Sequence, residues 1–280
     1  GVVIATSAPD SYDDPSNVTY LIDNDAAVPT NAGYDVLRDV PANGDSSDDT
    51  GAGGEVSGNY ATFNPLMATS EFTYADGNLE TSFDAGDNNI TVSTIAPKSG
   101  KWYAEIVFTA SGVANNFYGE VAVADASKIG QGFNSSTSTR YREGSADIYG
   151  AGTATGTKSD FAVDDVMGVA VDADNDTVYF YKNNTLEGTV TGLNFDGYAI
   201  GVAGNGGTGR TFTAVANYGQ RSWVYSAPSG YKALCTTNLP DPTIADGSDY
   251  FDTKLYTGTG TTNAITGFDF SPDWVWTKQR

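Results

Sequence analysis

The sequence predicts an all-β protein built as an antiparallel two-sheet sandwich, and three observations support that prediction. Short runs of strand-forming residues recur at close intervals, with Gly, Asn and Asp between them. No segment shows the 3.6-residue apolar period of an amphipathic helix. The composition combines 33 Gly, 17 Tyr and 13 Phe with only two Met, a balance that favours strands and turns over helices.

The first 58 residues are predicted to be an irregular arm. Turn-forming residues dominate them, as in SAPDSYDDPSN, and only short apolar pieces interrupt the pattern. Such a segment can scarcely form a core of its own. We therefore expect residues 1–58 to be either mobile or ordered against another chain, with a role in attachment or oligomerisation.

Residues 59–239 are predicted to form the sandwich. The stretch FTYADGNLETSF (72–83) has strand residues on both sides of Asp76-Gly77-Asn78 and predicts a hairpin. In SGKWYAEIVFTA (99–110) the side chains alternate, and the face that carries Trp102 is the better candidate for the core. Further strands are expected at 119–124, 164–172, 177–183, 198–204 and 210–219.

The ionisable residues exclude several classes of function. The formal net charge is −21, from 35 acidic and 14 basic residues, so nucleic acid is not an expected partner. The chain has no histidine, which excludes Ser-His-Asp chemistry and the commonest zinc ligand. Cys235 is the single cysteine, so we expect a buried thiol and no internal disulfide. No stretch is long and apolar enough to cross a bilayer, so membrane insertion is not expected.

Three aspartates in five positions, Asp172, Asp174 and Asp176, allow three interpretations. Aspartates are common in turns, because their side chains hydrogen-bond to nearby backbone and tolerate unusual φ. Carboxylates two residues apart also resemble the start of an EF-hand calcium loop. However, Thr177 and Asn183 stand where that loop has its glycine and its closing glutamate. The third interpretation is a pair of carboxylates for acid–base catalysis.

The glutamates do not form the pattern of a polysaccharide hydrolase. Retaining glycosidases need two carboxyl groups about 5 Å apart, on either side of the sugar bond. No glutamate here lies two residues from another acidic residue within a predicted strand. Glu105 and Glu120 are isolated, and we expect both on a solvated outward face. The protein is therefore not expected to be an enzyme.

Three segments, in this order and spacing, resemble a SPRY domain: SGKWYAEIVF, VMGVAVDADNDTVYFYKNNTLEG and ANYGQRSWVYSAPSGYKAL. The family typically shows a Gly-Lys-Trp-Tyr strand, a GVAVD…KNG hairpin and a late NFGQ element. Asn184 stands where the family often has glycine, and Tyr218 and Trp223 stand where phenylalanine is common. The resemblance covers residues 59–239 and implies a SPRY/concanavalin-like jelly-roll sandwich. In that fold, residues 172–176 form the turn between two strands of a hairpin.

SPRY domains generally bind partners through loops at one edge of the sandwich, which directs attention to residues 124–164. This segment concentrates Tyr and Arg among small polar residues, the composition of an adaptable recognition surface. Alternatively, Tyr141 and Tyr149 belong to a short internal hairpin and pack inward. The candidate receptor-binding residues are Phe133, Arg140, Tyr141, Arg142 and Tyr149.

The last forty residues resemble a β-module that recurs in structural proteins of tailed phages, through YFDTKLYTGTG and GFDFSPDWVWTKQR. Residues 240–280 are therefore expected to be the first strands of a distal β-module, with one strand in KLYTGTG and another in DWVWTKQ. Trp274 and Trp276 share a face of the second strand and are too apolar to stay uncovered. We expect either a continuation of the chain or a neighbouring subunit to cover them. The stretch DVPANGDSSDDTGAGGEVSGNYATFNPL is also similar to the segment that precedes SPRY domains in marine phage proteins.

Together these resemblances imply a virion structural protein, a fibre, spike or decoration component, with a non-catalytic surface for host recognition. The expected partners are further copies of the chain in a homotrimer, other virion proteins bound by the arm, and a host surface glycan or protein. No cofactor is expected, and calcium at Asp172, Asp174 and Asp176 is the one candidate metal. The alternatives are a bacterial or archaeal cell-surface adhesin or filament subunit and, disfavoured by its glutamates, a polysaccharide hydrolase.

Overall fold

The computed structural model describes most of the chain beyond residue 47. The described residues are 48–67, 71–84, 89–111, 119–128, 136–144, 147–156, 158–204, 210–241, 244 and 246–278, with the backbone of three further two-residue strands. The chain divides into two compact units, Gly1–Leu239 and Pro240–Arg280.

Within the described residues the secondary structure consists of strands and short 3-10 helices, without any α-helix. The strands are β1 (Val3–Ile4), β2 (Leu21–Ile22), β3 (Val36–Leu37), β4 (Phe72–Ala75), β5 (Glu80–Phe83), β6 (Asn89–Val92), β7 (Lys101–Ser111), β8 (Gly119–Asp125), β9 (Ser138–Arg142), β10 (Asp147–Gly150), β11 (Thr153–Thr155), β12 (Val166–Asp172), β13 (Thr177–Lys182), β14 (Thr185–Thr191), β15 (Tyr198–Gly204), β16 (Phe212–Asn217) and β17 (Lys232–Ala233). The 3-10 helices are Pro65–Met67, Asp76–Asn78, Ala126–Lys128, Ala173–Asn175, Thr236–Asn238 and Gly247–Asp249.

The first unit is a two-sheet antiparallel sandwich, which confirms the predicted fold class. In the described part of the chain, the larger sheet has the order β11-β14-β13-β12-β7-β16-β5-β4, and the smaller has the order β10-β9-β8-β15-β6. The short strand β17 is an exception, because it pairs with the start of β7 in parallel. Neighbours such as β7 and β12 are not consecutive in sequence, so the two sheets are built from widely separated parts of the chain.

The main core lies between the two sheets. On β7 the side chains of Trp102, Ala104, Ile106 and Phe108 all point into it, as the alternation in the sequence predicts. Residues of the smaller sheet, such as Val121, belong to the same cluster. Because both sheets contribute apolar side chains to one continuous cluster, the sandwich does not need another chain to complete its main core.

The hairpin turn between β13 and β14 has two residues, Asn183 and Asn184. Their φ angles are 46° and 67°, and Lys182 and Thr185 pair directly across the turn. Two positive φ angles in a two-residue loop are typical of a type I′ turn, which favours Asn and Gly. Asparagine at 184 therefore serves the turn where the SPRY pattern often has glycine.

A second apolar cluster covers part of the outer face of the larger sheet. It contains Tyr103 of β7 and Ala170 of β12. It also contains Val56 from the segment before β4, and Trp223 and Cys235 from the segment after β16. We call residues 48–60 and 219–238 the terminal cover. Cys235 is fully buried, which confirms the thiol environment expected from the sequence.

The terminal cover changes the interpretation of the N-terminal arm. Asp49 accepts hydrogen bonds from the backbone N–H of Ala233 at 2.7 Å and from the Asn238 side chain at 2.7 Å. Gly53 and Ser222 form an antiparallel bridge. Residues 48–58 therefore belong to the sandwich rather than to an irregular arm. Strands β1, β2 and β3 form a separate three-stranded sheet, which the sequence analysis also did not predict.

The second unit contains no strand among its described residues, so the strands predicted for KLYTGTG and DWVWTKQ are wrong for the isolated chain. A strand needs a paired neighbour to satisfy its backbone N–H and C=O groups. The described part of this unit has one 3-10 helix, Gly247–Asp249, and the side chain of Asp246 accepts the N–H of Ser248 at 2.9 Å.

Replacement of Trp102 by alanine should destabilise the sandwich by about 3–5 kcal/mol, because it removes a large buried ring and leaves a cavity. Trp102 is 2% exposed, and its indole N–H donates to the carbonyl of Ser99 at 2.7 Å. Urea unfolding followed by circular dichroism measures the change. Leu66→Ala is the matched control, since Leu66 is 94% exposed and should change stability by less than about 0.5 kcal/mol. Equal midpoints for Trp102→Ala and the wild type would contradict the assignment of this face to the core.

Candidate functional site

The three aspartates form the turn between β12 and β13. Asp172 caps the 3-10 helix Ala173–Asn175 by accepting the N–H of Asn175 at 3.2 Å. Asp174 accepts the backbone N–H of Gly100 at 2.9 Å. Asp176 has a φ of 50° and accepts the hydroxyl of Tyr198 at 2.5 Å. Each carboxylate thus accepts a hydrogen bond from a different protein donor, one within the turn and two from Gly100 and Tyr198 outside it. These contacts agree with the turn interpretation.

The geometry of this turn does not gather the aspartates around a common point. Among the described residues, no group of three or more His, Cys, Asp or Glu side chains could hold a metal ion. Asp172 also lies 3.4 Å from the ammonium group of Lys101, which balances its charge inside the protein. A calcium site at these residues stays a prediction that the chelation experiment below addresses.

Strands β9 and β10 position the predicted receptor-binding residues. Arg140 and Arg142 point to the outer face of the smaller sheet and both bind Glu120, Arg140 at 3.0 Å. The Glu120 side chain is 0% exposed, and a buried carboxylate of this kind is stable only when it is paired. The expectation that Glu120 lies on a solvated face is therefore wrong, and Arg140 is a buried partner of that carboxylate rather than an open contact residue.

Tyr141 belongs to the core. It lies opposite Val121 on β8 and Ile148 on β10, which both point between the sheets, and it is fully buried. Its hydroxyl donates to the carbonyl of Ser159 and lies 3.4 Å from a carboxylate oxygen of Glu187. The inward interpretation of this tyrosine is therefore the correct one, because the pleat of β9 turns its side chain away from the surface.

Arg142 and Tyr149 are the two remaining described candidates, and they form one pair. The guanidinium carbon of Arg142 lies 4.4 Å from the centre of the Tyr149 ring, which is the geometry of a cation–π contact. Both side chains are half-buried. Phe133 lies outside the described residues. Of the four described candidates, the Arg142–Tyr149 pair is therefore the one that stays a candidate contact point on this sheet, and Phe133 stays a prediction.

Glu105 is the second isolated glutamate and is also buried, on the opposite sheet. Its carboxylate accepts the backbone N–H groups of Val224 at 2.8 Å and Tyr225 at 2.9 Å, and the hydroxyl of Tyr103 at 3.3 Å. The expectation of a solvated outward position is wrong here too, because the terminal cover lies over this part of the sheet. Burial raises the pKa of Glu105, and the hydrogen bonds from Tyr225 and Val224 oppose that rise.

Three buried glutamates, Glu105, Glu120 and Glu187, are each bound by donors of the protein itself. Glu105 and Glu120 lie on the outer faces of different sheets, and each is bound by donors of the protein itself. Glu187 is also occupied, since it accepts the backbone N–H and the hydroxyl of Ser159. These three buried carboxylates therefore hold the fold together and do not face a common cleft.

A surface that the sequence analysis did not single out lies on the outer face of β11, β13 and β14. Thr153 lies opposite Thr191, and Thr155 lies opposite Thr189. Thr189 in turn lies opposite Tyr179. The tyrosine–threonine face consists of Thr153, Thr155, Tyr179, Tyr181, Thr189 and Thr191. The signal in the sequence is the pair of Thr-x-Thr motifs, TAT and TVT, which become neighbours only through the sheet order.

The second unit presents large apolar side chains to solvent. Trp274 and Trp276 are 74% and 75% exposed. A groove of about 810 Å³ runs through the unit, and seven of its nineteen lining residues are aromatic. These are Tyr250, Phe251, Tyr256, Phe268, Phe270, Trp274 and Trp276. Exposed apolar surface of this kind marks a site of association in soluble proteins.

Comparisons with known proteins found a family model that matches the second unit and solved structures that are similar to part of the chain. A family model described as a domain of unknown function, DUF7483, matches residues 246–280. The SPRY domain of human HERC1 is similar with a TM-score of 0.49 and 18% identity over 58% of this chain and 99% of that one. The TRIM65 PSpry domain has a TM-score of 0.43 and 13% identity, over 56% and 92% of the two chains.

A further human SPRY domain has a TM-score of 0.40 and 15% identity, over 53% of this chain and 95% of that one. No curated protein matches the chain. The likeness to the solved structures concerns the fold alone. In the described residues, no helix is long and apolar enough to span a membrane.

Removal of calcium should leave the stability of the protein unchanged, because the carboxylates of the aspartate turn are occupied by protein donors. The melting midpoint is measured with added calcium and with excess EDTA. A site held at a hundredfold excess over its dissociation constant would add about 2.7 kcal/mol. A chelator-sensitive midpoint that Asp174→Asn abolishes would establish a metal site and contradict the turn interpretation.

The pH dependence of stability should reveal the buried carboxylate of Glu105. Its pKa in the folded protein is raised, so its contribution is complete below the unfolded pKa and is lost as the pH rises through the folded pKa. The difference in unfolding free energy between wild type and Glu105→Gln should therefore favour the wild type most near pH 4 and shrink towards pH 7.

Glu55→Gln is the control of opposite sign. The hydrogen bond from the Thr50 hydroxyl lowers the pKa of Glu55, so its contribution is present above the unfolded pKa and is lost as the pH falls. Urea unfolding between pH 4 and pH 7 measures both variants. A Glu105→Gln difference that grows in favour of the wild type with rising pH would show that the carboxylate is not destabilised by burial.

Proposed function

We propose that the protein is a non-catalytic structural component of a virus particle, a fibre, spike or decoration protein of a tailed phage, that assembles through its second unit and presents the sandwich as a binding module. The observation that carries this proposal is the exposure of the aromatic residues in residues 246–278. A protein that works alone in solution rarely leaves such a surface open, whereas a subunit covers it in its assembly.

The two units differ in how far a single chain buries their apolar side chains. The sandwich has a continuous core between its sheets and a second cluster under the terminal cover. The second unit leaves Phe251, Leu255 and Val275 at least 70% exposed, in addition to its tryptophans. Covering such side chains stabilises by about 1.5–3 kcal/mol each. The favourable free energy of association is therefore concentrated in the second unit.

Repetition of one subunit suits a protein that displays a binding surface. Identical chains usually form closed symmetric assemblies, and a homotrimer is the arrangement that we propose here. Several copies of a weak binding site can raise the overall affinity by about 10²–10⁴. The N-terminal region is proposed to bind other virion proteins, and the ligand of the sandwich is proposed to be a host surface glycan or protein.

The resemblances of the sequence favour the virion over the other settings. The SPRY-like segments, the stretch that precedes them and the last forty residues all fit a phage structural protein. A bacterial or archaeal adhesin would use the same binding module and the same assembly, and is the second candidate. The partners found for Glu105, Glu120 and Glu187 support a non-catalytic role over a polysaccharide hydrolase.

Removal of the exposed tryptophans should abolish assembly. The full-length chain is expected to sediment as an oligomer, and the double variant Trp274→Ser and Trp276→Ser as a monomer, because the change removes two large apolar side chains from the interface. Analytical ultracentrifugation at several concentrations measures the association.

Leu186→Ser is the matched control, because Leu186 is an exposed apolar residue of the sandwich and its loss should leave the oligomer intact. A monomeric full-length wild type, or an oligomer that survives the double tryptophan change, would contradict assembly through the second unit. Mass spectrometry of purified particles then separates the two settings. Detection of the protein in purified particles supports a virion protein. Recovery of the protein only from cell envelopes supports an adhesin.

A further inference from the structure

The tyrosine–threonine face is uncharged on a protein that is otherwise strongly acidic. The outward-pointing described residues of β11, β13 and β14 are Thr and Tyr, with Leu186 at one end, and none of them carries a charge. The chain as a whole has a formal net charge of −21. A neutral region of this kind neither attracts cations nor repels uncharged molecules.

The side chains of this face remain accessible although the sheet beneath them is buried. Thr153, Thr155 and Thr191 are exposed, and Tyr179 and Tyr181 are half-buried. Hydroxyl groups of threonine both donate and accept hydrogen bonds. Strand β11 is the edge of its sheet, so the face is open on that side.

The two tyrosine rings are held in place from one side. Tyr179 lies edge-on to the ring of Tyr231, with 6.5 Å between the ring centres. Tyr179 and Tyr181 both pack against the cluster under the terminal cover. Rings that are fixed before binding lose little conformational entropy when a ligand contacts their free sides. The terminal cover thus forms a wall along one border of the tyrosine–threonine face.

The shape and the chemistry of the face indicate the class of ligand. A flat sheet face is a poor site for a small molecule, which needs a concave pocket, but it can receive an extended chain laid across the strands. A protein partner would need an apolar centre, and threonines occupy the centre here. A polyhydroxyl chain fits both features, because its hydroxyls match the threonines and its ring faces match the tyrosines.

We propose that the tyrosine–threonine face binds a neutral polysaccharide chain. The rings of Tyr179 and Tyr181 contact the apolar faces of successive sugar units, and the hydroxyls of Thr155, Thr189 and Thr191 exchange hydrogen bonds with the sugar hydroxyls. The proposal rests on the proposed function as a binding module and names the ligand class and the surface. This surface is distinct from the Arg142–Tyr149 pair, which lies on the other sheet.

The test uses the full-length protein and four oligosaccharides of equal length. Cellohexaose, maltohexaose and mannohexaose are the neutral probes, and hexagalacturonate is the acidic one. Isothermal titration calorimetry is expected to detect at least one neutral probe and to show at least about tenfold weaker binding of the acidic probe. No binding of any neutral probe, or equal binding of the acidic one, overturns the proposal.

Variants locate the site. Tyr181→Ala removes a ring and should weaken binding at least about tenfold, whereas Tyr181→Phe keeps the ring and should stay within about threefold of the wild type. Thr191→Glu places a charge on an exposed position without touching the core, so it should weaken binding even if Tyr181→Ala does not fold. Leu66→Ala is the control away from this face, because Leu66 is 94% exposed and lies beside β4 and β6; it should leave binding unchanged.

The outcomes separate this proposal from the proposed function. Unchanged oligosaccharide binding in Thr191→Glu overturns the tyrosine–threonine face as the site. An oligomer that dissociates in Thr191→Glu shows that the face contacts another chain, which also overturns the proposal. Neither result changes the expectation for the double tryptophan variant, because Trp274 and Trp276 belong to the second unit.

Discussion

Burial of strand β7 on both faces is the constraint on which the rest of the first unit depends. Trp102, Ala104, Ile106 and Phe108 point into the core, while Tyr103 and Glu105 on the opposite face are buried as well. A carboxylate in such a position must be supplied with donors. The N–H groups of Val224 and Tyr225 supply them, so the buried charge holds the chain after β16 against the sheet. The outward-facing Tyr103 of β7 also packs closely over Gly168 of β12. A Cβ on Gly168 would lie 2.6 Å from the hydroxyl of Tyr103.

The terminal cover ends partway across the larger sheet, and this divides the outer face into two regions with different properties. Over β7 and β12 the face is closed by apolar and aromatic side chains from residues 48–60 and 219–238. Over β13, β14 and β11 it stays open and carries hydroxyl groups. The covered region stabilises the sandwich, and the open region is available to a ligand. In the second unit Tyr250, Phe251, Tyr256, Trp274 and Trp276 are exposed.

Local patterns in the sequence predicted the strands of the sandwich well, because alternation and turn chemistry act over a few residues. The strand expected at 198–204 is observed at those residues. Asp76–Asn78 forms the turn between β4 and β5, in the hairpin predicted at 72–83. Long-range packing was not predictable in the same way. The sequence predicted Glu105 and Glu120 on the surface, because their partners are distant in the chain. Glu105 is bound by the N–H of Val224, and Glu120 is bound by Arg140 and Arg142. The tyrosine–threonine face was missed, since only the sheet order makes Thr153 and Thr191 neighbours.

We propose that the sandwich has a complete core within one chain, whereas association of chains covers the apolar side chains of the second unit. Hydrogen–deuterium exchange of the full-length chain, before and after assembly, tests it directly. We expect slow exchange of the β7 amides in both states, because β7 lies between β12 and β16 and opens only with the whole sandwich. Residues 246–278 should exchange fast in the monomer and slowly in the assembly. Strong protection of residues 246–278 in the monomer, or no gain of protection on assembly, would contradict completion of the second unit by association.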